Sequence, residues 1–174
     1  MFGGAGTDTL TAAAGNSYLD GGAGNDTLRG GSGISTLVGG VGSDTLIGGT
    51  GSTTLIGVNP FAATPGRSEI DKLQGGSGSS LFVLGDKYQT YYSSGSSLGG
   101  LADYALISQF IVGRDRIQLN GKSTDYVVGN SPLLFTPGKA IYRKSTTGGL
   151  NELIGIVQGI TTLNLDDISS FVYV

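Results

Sequence analysis

A nine-residue repeat fills the first half of the sequence and constrains the fold more than any other feature. From residue 3 the chain divides into six clear units: GGAGTDTLT, AAAGNSYLD, GGAGNDTLR, GGSGISTLV, GGVGSDTLI and GGTGSTTLI. Residues 57–65 and 66–74 are degenerate but keep the count, and residues 75–83 restore the pattern. The eighth position is apolar in eight of the nine units: Leu10, Leu19, Leu28, Leu37, Leu46, Leu55, Leu73 and Phe82. A fixed period of this kind predicts a solenoid of stacked short units.

Each unit predicts one very short strand followed by one tight turn. Successive side chains of a strand point to opposite faces, so the leucine of Thr-Leu-Ile faces inward while its neighbours face outward. The glycines that follow can adopt positive φ angles and turn the chain tightly. Two units therefore make one coil with two strands, and coils stack at the strand spacing of about 4.8 Å. One buried leucine contributes only about 1.5–3 kcal/mol, so the coils must stack to be stable.

The sixth position of the unit alternates between carboxylates and hydroxyls. It reads Asp8, Ser17, Asp26, Ser35, Asp44, Thr53, Ala62, Asp71 and Ser80. Alternate units lie on the same edge of such a solenoid, so one edge is predicted to carry Asp8, Asp26 and Asp44. The other edge is predicted to carry Ser17, Ser35 and Thr53, followed by Asp71. From the residues alone, these Asp side chains either bind a ligand or only cap turns through hydrogen bonds to the backbone.

The units resemble the RTX repeats, whose consensus is GGxGxDxUx. The resemblance covers about residues 3–83 and is best over residues 21–56. It implies a parallel β-roll in which the sixth-position Asp and backbone carbonyls of the glycine turns bind calcium between coils. Calcium takes about six to eight oxygen ligands, which suits this donor set. Two sites are expected, one between Asp8 and Asp26 and one between Asp26 and Asp44.

The resemblance also implies which further groups complete these sites. The carbonyl oxygens expected to bind calcium belong to Gly4, Gly6, Gly22, Gly24, Gly40 and Gly42. Asp71 and Asp115 are further candidate ligands.

The repeat ends after residue 84, and the second half reads as separate short strands. Runs rich in β-branched and aromatic residues, bounded by turn residues, occupy 104–107, 116–119, 125–128, 140–143, 153–157 and 171–174. Their alternation predicts half-buried antiparallel strands that continue or cap the roll. A short helix is a second possibility for residues 101–106. We therefore predict an all-β fold: a right-handed parallel β-roll solenoid over residues 1–84 and a β-rich C-terminal cap over residues 85–174.

The second half is also similar to the tails of proteins exported by type I systems. Residues 107–119 contain I-x-x-F followed by G-x-D-x-I-x-L, which resembles the stretch after the repeats in serralysin-type proteins. Residues 103–107 and 152–159 are similar to tails of cyanobacterial RTX-like proteins. Such tails carry an uncleaved signal read by an ABC exporter, and Asp166 and Asp167 near the hydrophobic terminus fit that description. The alternative is an ordinary terminal strand.

Composition excludes several classes of function. The chain has no histidine and no cysteine, so a Ser–His triad, a thiolate nucleophile and a thiolate metal site are ruled out. Residues 95–99 match G-x-S-x-G, but no histidine exists to activate the serine. Charged residues make up 13% of the chain and the net charge is −3, which argues against a nucleic-acid groove. No apolar stretch is long enough to span a membrane.

These observations predict a non-enzymatic calcium-binding protein that is secreted or held at the cell surface. In the first reading it is exported by a type I ABC exporter and folds outside the cell. In the alternative it assembles into an extracellular filament, sheath or surface layer. The sequence enters the repeats directly and without a polar cap, so an upstream domain or another copy of the chain is expected against the first coil.

Overall fold

Strands make up almost all of the regular structure in the computed structural model, which describes residues 1–93 and 101–174. The G-x-S-x-G match lies outside the described residues. Within them, the helical structure is one 3₁₀ turn at Ser123–Asp125, and no helix has the length and hydrophobicity of a membrane span. The strands of the repeat region are β1 (Phe2–Ala5), β2 (Thr9–Thr11), β3 (Ser17–Ala23), β4 (Thr27–Arg29), β5 (Ser35–Val41), β6 (Thr45–Ile47), β7 (Thr53–Val58), β8 (Ile70–Gln74) and β9 (Ser80–Val83).

Odd-numbered and even-numbered strands of the repeats form two parallel sheets. The first sheet runs β1-β3-β5-β7-β9 and the second runs β2-β4-β6-β8. The remaining strands are β10 (Tyr104–Ser108), β11 (Arg116–Leu119), β12 (Tyr126–Asn130), β13 (Gly138–Arg143), β14 (Glu152–Gln158) and β15 (Phe171–Tyr173). The first sheet continues into β11 and β15, and the second continues into β10, β14, β13 and β12. The predicted β-roll is confirmed.

The eighth-position side chains stack on one another inside the roll. In the second sheet the pairing aligns Leu10, Leu28, Leu46 and Leu73. In the first sheet it aligns Leu19, Leu37, Leu55 and Phe82. All eight side chains are buried, and only Leu10, in the first coil, keeps as much as 8% of its surface exposed. The two columns face each other and form one core between the sheets.

One degenerate unit leaves the roll, and this overturns part of the sequence prediction. Thr45 pairs with Lys72, an offset of 27 residues, where Thr27 and Thr45 are offset by 18. Residues 59–69 therefore form an excursion that adds no strand. The excursion contains Pro60 and Pro65, which cannot donate ladder hydrogen bonds. The skipped unit moves Asp71 onto the same edge as Asp44, so its prediction on the opposite edge was wrong.

The second half contains all six predicted strands, but most of them are parallel. β10 and β11 extend the two sheets of the roll, and β14 and β15 pair parallel to them. Among the fifteen described strands, only β12, β13 and β14 pair antiparallel. The helix considered for residues 101–106 is absent, because Tyr104–Ser108 pairs along the open edge of β8. Side chains such as Ile107 and Ile117 join the same core as the leucine columns.

The leucine columns predict that replacing a leucine with alanine destabilises the roll more in a middle coil than in the first coil. Leu46→Ala should lower the free energy of unfolding by about 2–5 kcal/mol, because a fully buried side chain leaves a cavity. Leu10→Ala should cost less, since no preceding coil covers that side chain. Urea unfolding in saturating calcium measures both. Equal losses would show that the first coil is packed as tightly as the middle of the roll.

Candidate metal centre

Four aspartates stack in register along one edge of the roll and form what we call the acidic column: Asp8, Asp26, Asp44 and Asp71. Each of the first three donates its backbone N–H to the Oδ1 atom of the next. The distances are 2.7 Å from Asp8 to Asp26, 2.7 Å from Asp26 to Asp44 and 2.8 Å from Asp44 to Asp71. Backbone pairing thus fixes these carboxylates on neighbouring coils, with like charges stacked along one line.

The second oxygen of the first three carboxylates has no hydrogen-bond donor. The Oδ2 atoms of Asp8, Asp26 and Asp44 are buried and find no partner among the described residues. The Asp26 and Asp44 side chains are 2% and 1% exposed, so water does not reach them freely. A buried carboxylate oxygen without a partner is costly, and a proton or a cation removes that cost.

A backbone carbonyl oxygen lies beside each of these Oδ2 atoms. Asp8 Oδ2 and the Gly21 carbonyl oxygen lie 2.7 and 2.6 Å from the point where a Cβ on Gly3 would be. The same arrangement repeats one coil further on at Gly21 and again at Gly39. A side chain at these first positions would collide with both oxygens, so glycine is required there. Two acceptors face the same small space, which is the oxygen-rich environment that calcium prefers.

The turn carbonyls expected from the sequence point along the stack. Gly4, Gly22 and Gly40 have φ angles of 106°, 100° and 116°; the Gly4 carbonyl oxygen lies against Gly22, and the Gly22 carbonyl oxygen lies against Gly40. Gly6, Gly24 and Gly42 stack in the same way. Their role as calcium ligands stays a prediction. The carbonyls that the structure places beside the carboxylates belong to the first position of the unit, which the sequence analysis missed although that glycine recurs in the repeat.

Comparison with family models identifies the repeats. Residues 2–37 and 20–55 match the model of the RTX calcium-binding nonapeptide repeat (4 copies). Residues 2–55 are RTX repeats. Repeats of this family bind calcium, so the predicted family and cofactor are confirmed. No curated protein sequence is significantly similar to the chain.

Asp71 differs from the three aspartates within the RTX repeats. Its Oδ2 atom accepts a hydrogen bond of 2.6 Å from the Tyr92 hydroxyl, and both side chains are fully buried. The acidic column therefore contains three carboxylates with a free oxygen and a fourth whose oxygens are both satisfied. The sequence predicted two sites between three aspartates, and the structure offers three positions where a carboxylate and a carbonyl oxygen meet.

The opposite edge of the roll satisfies its sixth-position polar groups locally. Its sixth-position hydroxyls accept hydrogen bonds of 3.1–3.2 Å from glycine amides four residues earlier: Gly31 to Ser35, Gly49 to Thr53 and Gly76 to Ser80. Nowhere in residues 1–93 and 101–174 do three acidic side chains converge on one point. A cation bound to the described part of the roll would therefore take most of its ligands from backbone carbonyls and water.

Asp115 also lies on the opposite edge and already has a cationic partner. Its Oδ1 atom accepts hydrogen bonds of 3.0 Å from Arg114 Nε and from the Ser80 amide. Its Oδ2 atom accepts from the Ile111 amide and from Arg114 Nη2. The same Nη2 atom donates to the Gly76 carbonyl oxygen at 2.8 Å. Because the guanidinium joins a carboxylate to a turn carbonyl, the structure argues against Asp115 as a calcium ligand.

Burial changes the acidity of the column. Burial raises the pKa of Asp44 to about 7, opposed by the Asp26 amide and reinforced by the charges of Asp71, Asp26 and Glu69. Burial also raises the pKa of Asp71 to about 7, although hydrogen bonds from Tyr92 and from the Asp44 amide oppose the shift. Without a cation, these groups hold protons that the unfolded chain would release.

The raised pKa values predict an inverted pH dependence for calcium-free protein. A carboxyl with a pKa raised from 3.8 to about 7 adds stability below 3.8 that is lost as the pH rises through about 7. Calcium should reverse the trend, because only the ionised carboxylates bind it. Urea unfolding in chelator at about pH 5 and about pH 8 tests this. Asp44→Asn should flatten the calcium-free profile, and an identical profile in that variant would contradict the assignment.

Proposed function

We propose that the RTX roll is a calcium-dependent folding module of a secreted, non-enzymatic protein. The observation that carries the proposal is the row of three buried Oδ2 atoms, on Asp8, Asp26 and Asp44, each beside a carbonyl oxygen of the next coil. Stacked carboxylates repel one another, and calcium bound between them would turn this repulsion into a link between coils. Metal binding and folding are then coupled.

The rest of the roll limits how much of the structure depends on calcium. The leucine columns are buried along the whole array and do not depend on the charge of the acidic edge. We therefore expect the calcium-free chain to keep partial structure held by this apolar core. Each position combines few carboxylates with neutral carbonyls, so the affinity should resemble that of extracellular calcium modules, at Kd of about 10⁻⁴–10⁻³ M.

Such an affinity supports folding outside the producing cell. A module that binds calcium this weakly stays metal-free where calcium is scarce and fills where calcium is abundant. The proposed export route is a type I ABC exporter that reads the C-terminal tail. That tail forms β15, which pairs with β11 in the folded roll. An exporter would have to read the tail before this pairing forms, which is consistent with folding after export.

The proposal assigns no catalytic step to the chain. Histidine and cysteine are missing from the sequence, and the described carboxylates of the acidic column are bound to backbone amides of the neighbouring coil. The family assignment supports a calcium-binding module and gives no support to the alternative of a self-assembling filament, sheath or surface layer.

Asp26→Asn should weaken calcium binding, because Asp26 accepts from the Asp8 amide and also presents a free Oδ2 atom. Asparagine keeps the acceptor and the shape but loses the charge. We expect an affinity at least about tenfold lower, or about 1.4 kcal/mol, by calorimetric titration. Asp20→Asn, on the outward side of β3, is the matched control and should bind as the wild type does. Unchanged binding in both variants would exclude the acidic column as the calcium site.

The export proposal can be tested without removing a strand. Ile168 is 83% exposed and Asp166 is exposed, so replacing both with serine should leave the fold intact. If the tail is an export signal, this double variant should accumulate inside a producing cell that carries the exporter. Circular dichroism of the purified variant controls for misfolding. Export at the wild-type level would refute this role for the two residues.

A further inference from the structure

The fourth position of the acidic column is built differently from the first three. At Gly3, Gly21 and Gly39, the Cα atom faces an Asp Oδ2 atom and a carbonyl oxygen of the next coil. At Gly57, the equivalent Cα atom faces Asp71 Oδ2 and the hydroxyl oxygen of Tyr92. The tyrosine hydroxyl therefore stands where the next coil would supply a carbonyl oxygen.

This replacement changes the chemistry of the position. A carbonyl oxygen only accepts hydrogen bonds, so at the first three positions the protein supplies two acceptors and no donor. A tyrosine hydroxyl can donate, and Tyr92 donates to Asp71 Oδ2 at 2.6 Å. The fourth carboxylate is satisfied by the protein itself, and it is absent from the set of buried oxygens that lack a partner.

The surroundings hold Tyr92 in a conformation that costs free energy. Its φ angle is 56°, a left-handed value that is unfavourable for a bulky side chain. Its amide donates to the Pro65 carbonyl oxygen at 2.9 Å. Its ring packs on Gly66, where a Cβ would lie 2.6 Å from the Cδ1 atom. The excursion of residues 59–69 thus positions the ring, and with it the hydroxyl, against Asp71.

The acidic column ends at Asp71. The residue paired with Asp71 on the far side, in β10, is Ala105. Among the described residues, no carboxylate is paired with Asp71 on β10; Asp103, two residues before Ala105, is buried with both carboxylate oxygens lacking a hydrogen-bond partner but lies outside this register. Tyr92 enters at the place where the stacking of carboxylates ends.

We propose that Tyr92 ends the calcium-binding part of the acidic column. Its hydroxyl takes the place of a cation at Asp71, so three positions bind calcium and the fourth joins the roll to the non-repeating half without metal. This inference rests on the proposed function, in which Asp8, Asp26 and Asp44 bind calcium. It assigns Asp71 a structural role although Asp71 lies in register with the ligands.

Calcium stoichiometry measured by isothermal titration tests the inference. The wild type should bind three calcium ions per chain. Asp71→Asn should also bind three, because the fourth carboxylate is not a ligand. Tyr92→Phe keeps the ring and leaves Asp71 Oδ2 without a donor, but it supplies no carbonyl oxygen, so it should still bind three calcium ions and should unfold at lower temperature in chelator. Tyr91→Phe is the control, because its hydroxyl contacts Asp86 and not the column.

The outcomes separate the inference from the proposed function. A wild type that binds calcium, with one ion fewer in Asp71→Asn, would overturn the inference alone, because Asp71 would then be a ligand. A Tyr92→Phe variant as stable as the wild type in chelator would also overturn it, because the hydroxyl would then not be what satisfies Asp71. A wild type that binds no calcium would overturn both. Asp71→Asn keeps the test decisive if Tyr92→Phe fails to fold, and circular dichroism shows whether each variant folds.

Discussion

Parallel pairing of successive coils places each residue directly beside its equivalent in the next coil, and every other feature of the roll depends on this stacking. An apolar position repeated in this way becomes a column of leucine that is buried and stabilising. An acidic position repeated in the same way becomes a column of like charges about 4.8 Å apart, which destabilises the fold unless positive charge or protons compensate. The same repetition that builds the core therefore creates the need for a cation.

The structure satisfies buried carboxylates in two ways that the repeat itself cannot supply. The Tyr92 hydroxyl donates to Asp71, and the Arg114 guanidinium bridges Asp115 and the Gly76 carbonyl oxygen. Both side chains come from segments outside the nine-residue pattern. Within the pattern every coil offers the same acceptors, so Asp8, Asp26 and Asp44 can be compensated only from outside the chain. At Asp71 and Asp115, side chains from the non-repeated sequence therefore do what a cation would have to do at Asp8, Asp26 and Asp44.

The nine-residue period was enough to predict the features that repeat with it. The two leucine columns, the parallel sheets and the row of Asp8, Asp26 and Asp44 all follow from counting nine residues. The period did not predict which edge of the roll carries Asp71. That edge depends on whether residues 57–65 form a strand or leave the roll. Pro60 and Pro65 were the available signal, since proline cannot pair in a central strand. The contact of Tyr92 could not be predicted, because it joins positions related by no repeat and needs a left-handed backbone.

The two ends of the roll differ in what holds them together. At the end nearer β10, Asp71 is satisfied by Tyr92, and the neighbouring strands extend both sheets without any carboxylate in the column. At the other end, β1 and β2 have a neighbour on one side only, and Leu10 is the most exposed member of its column. In a stacked array, each coil is stabilised mainly by its neighbours, so order propagates from coils that are already formed. Asp71 needs no metal, and we infer that calcium-dependent order grows from Asp44 through Asp26 towards Asp8, with the first coil the last to be fixed.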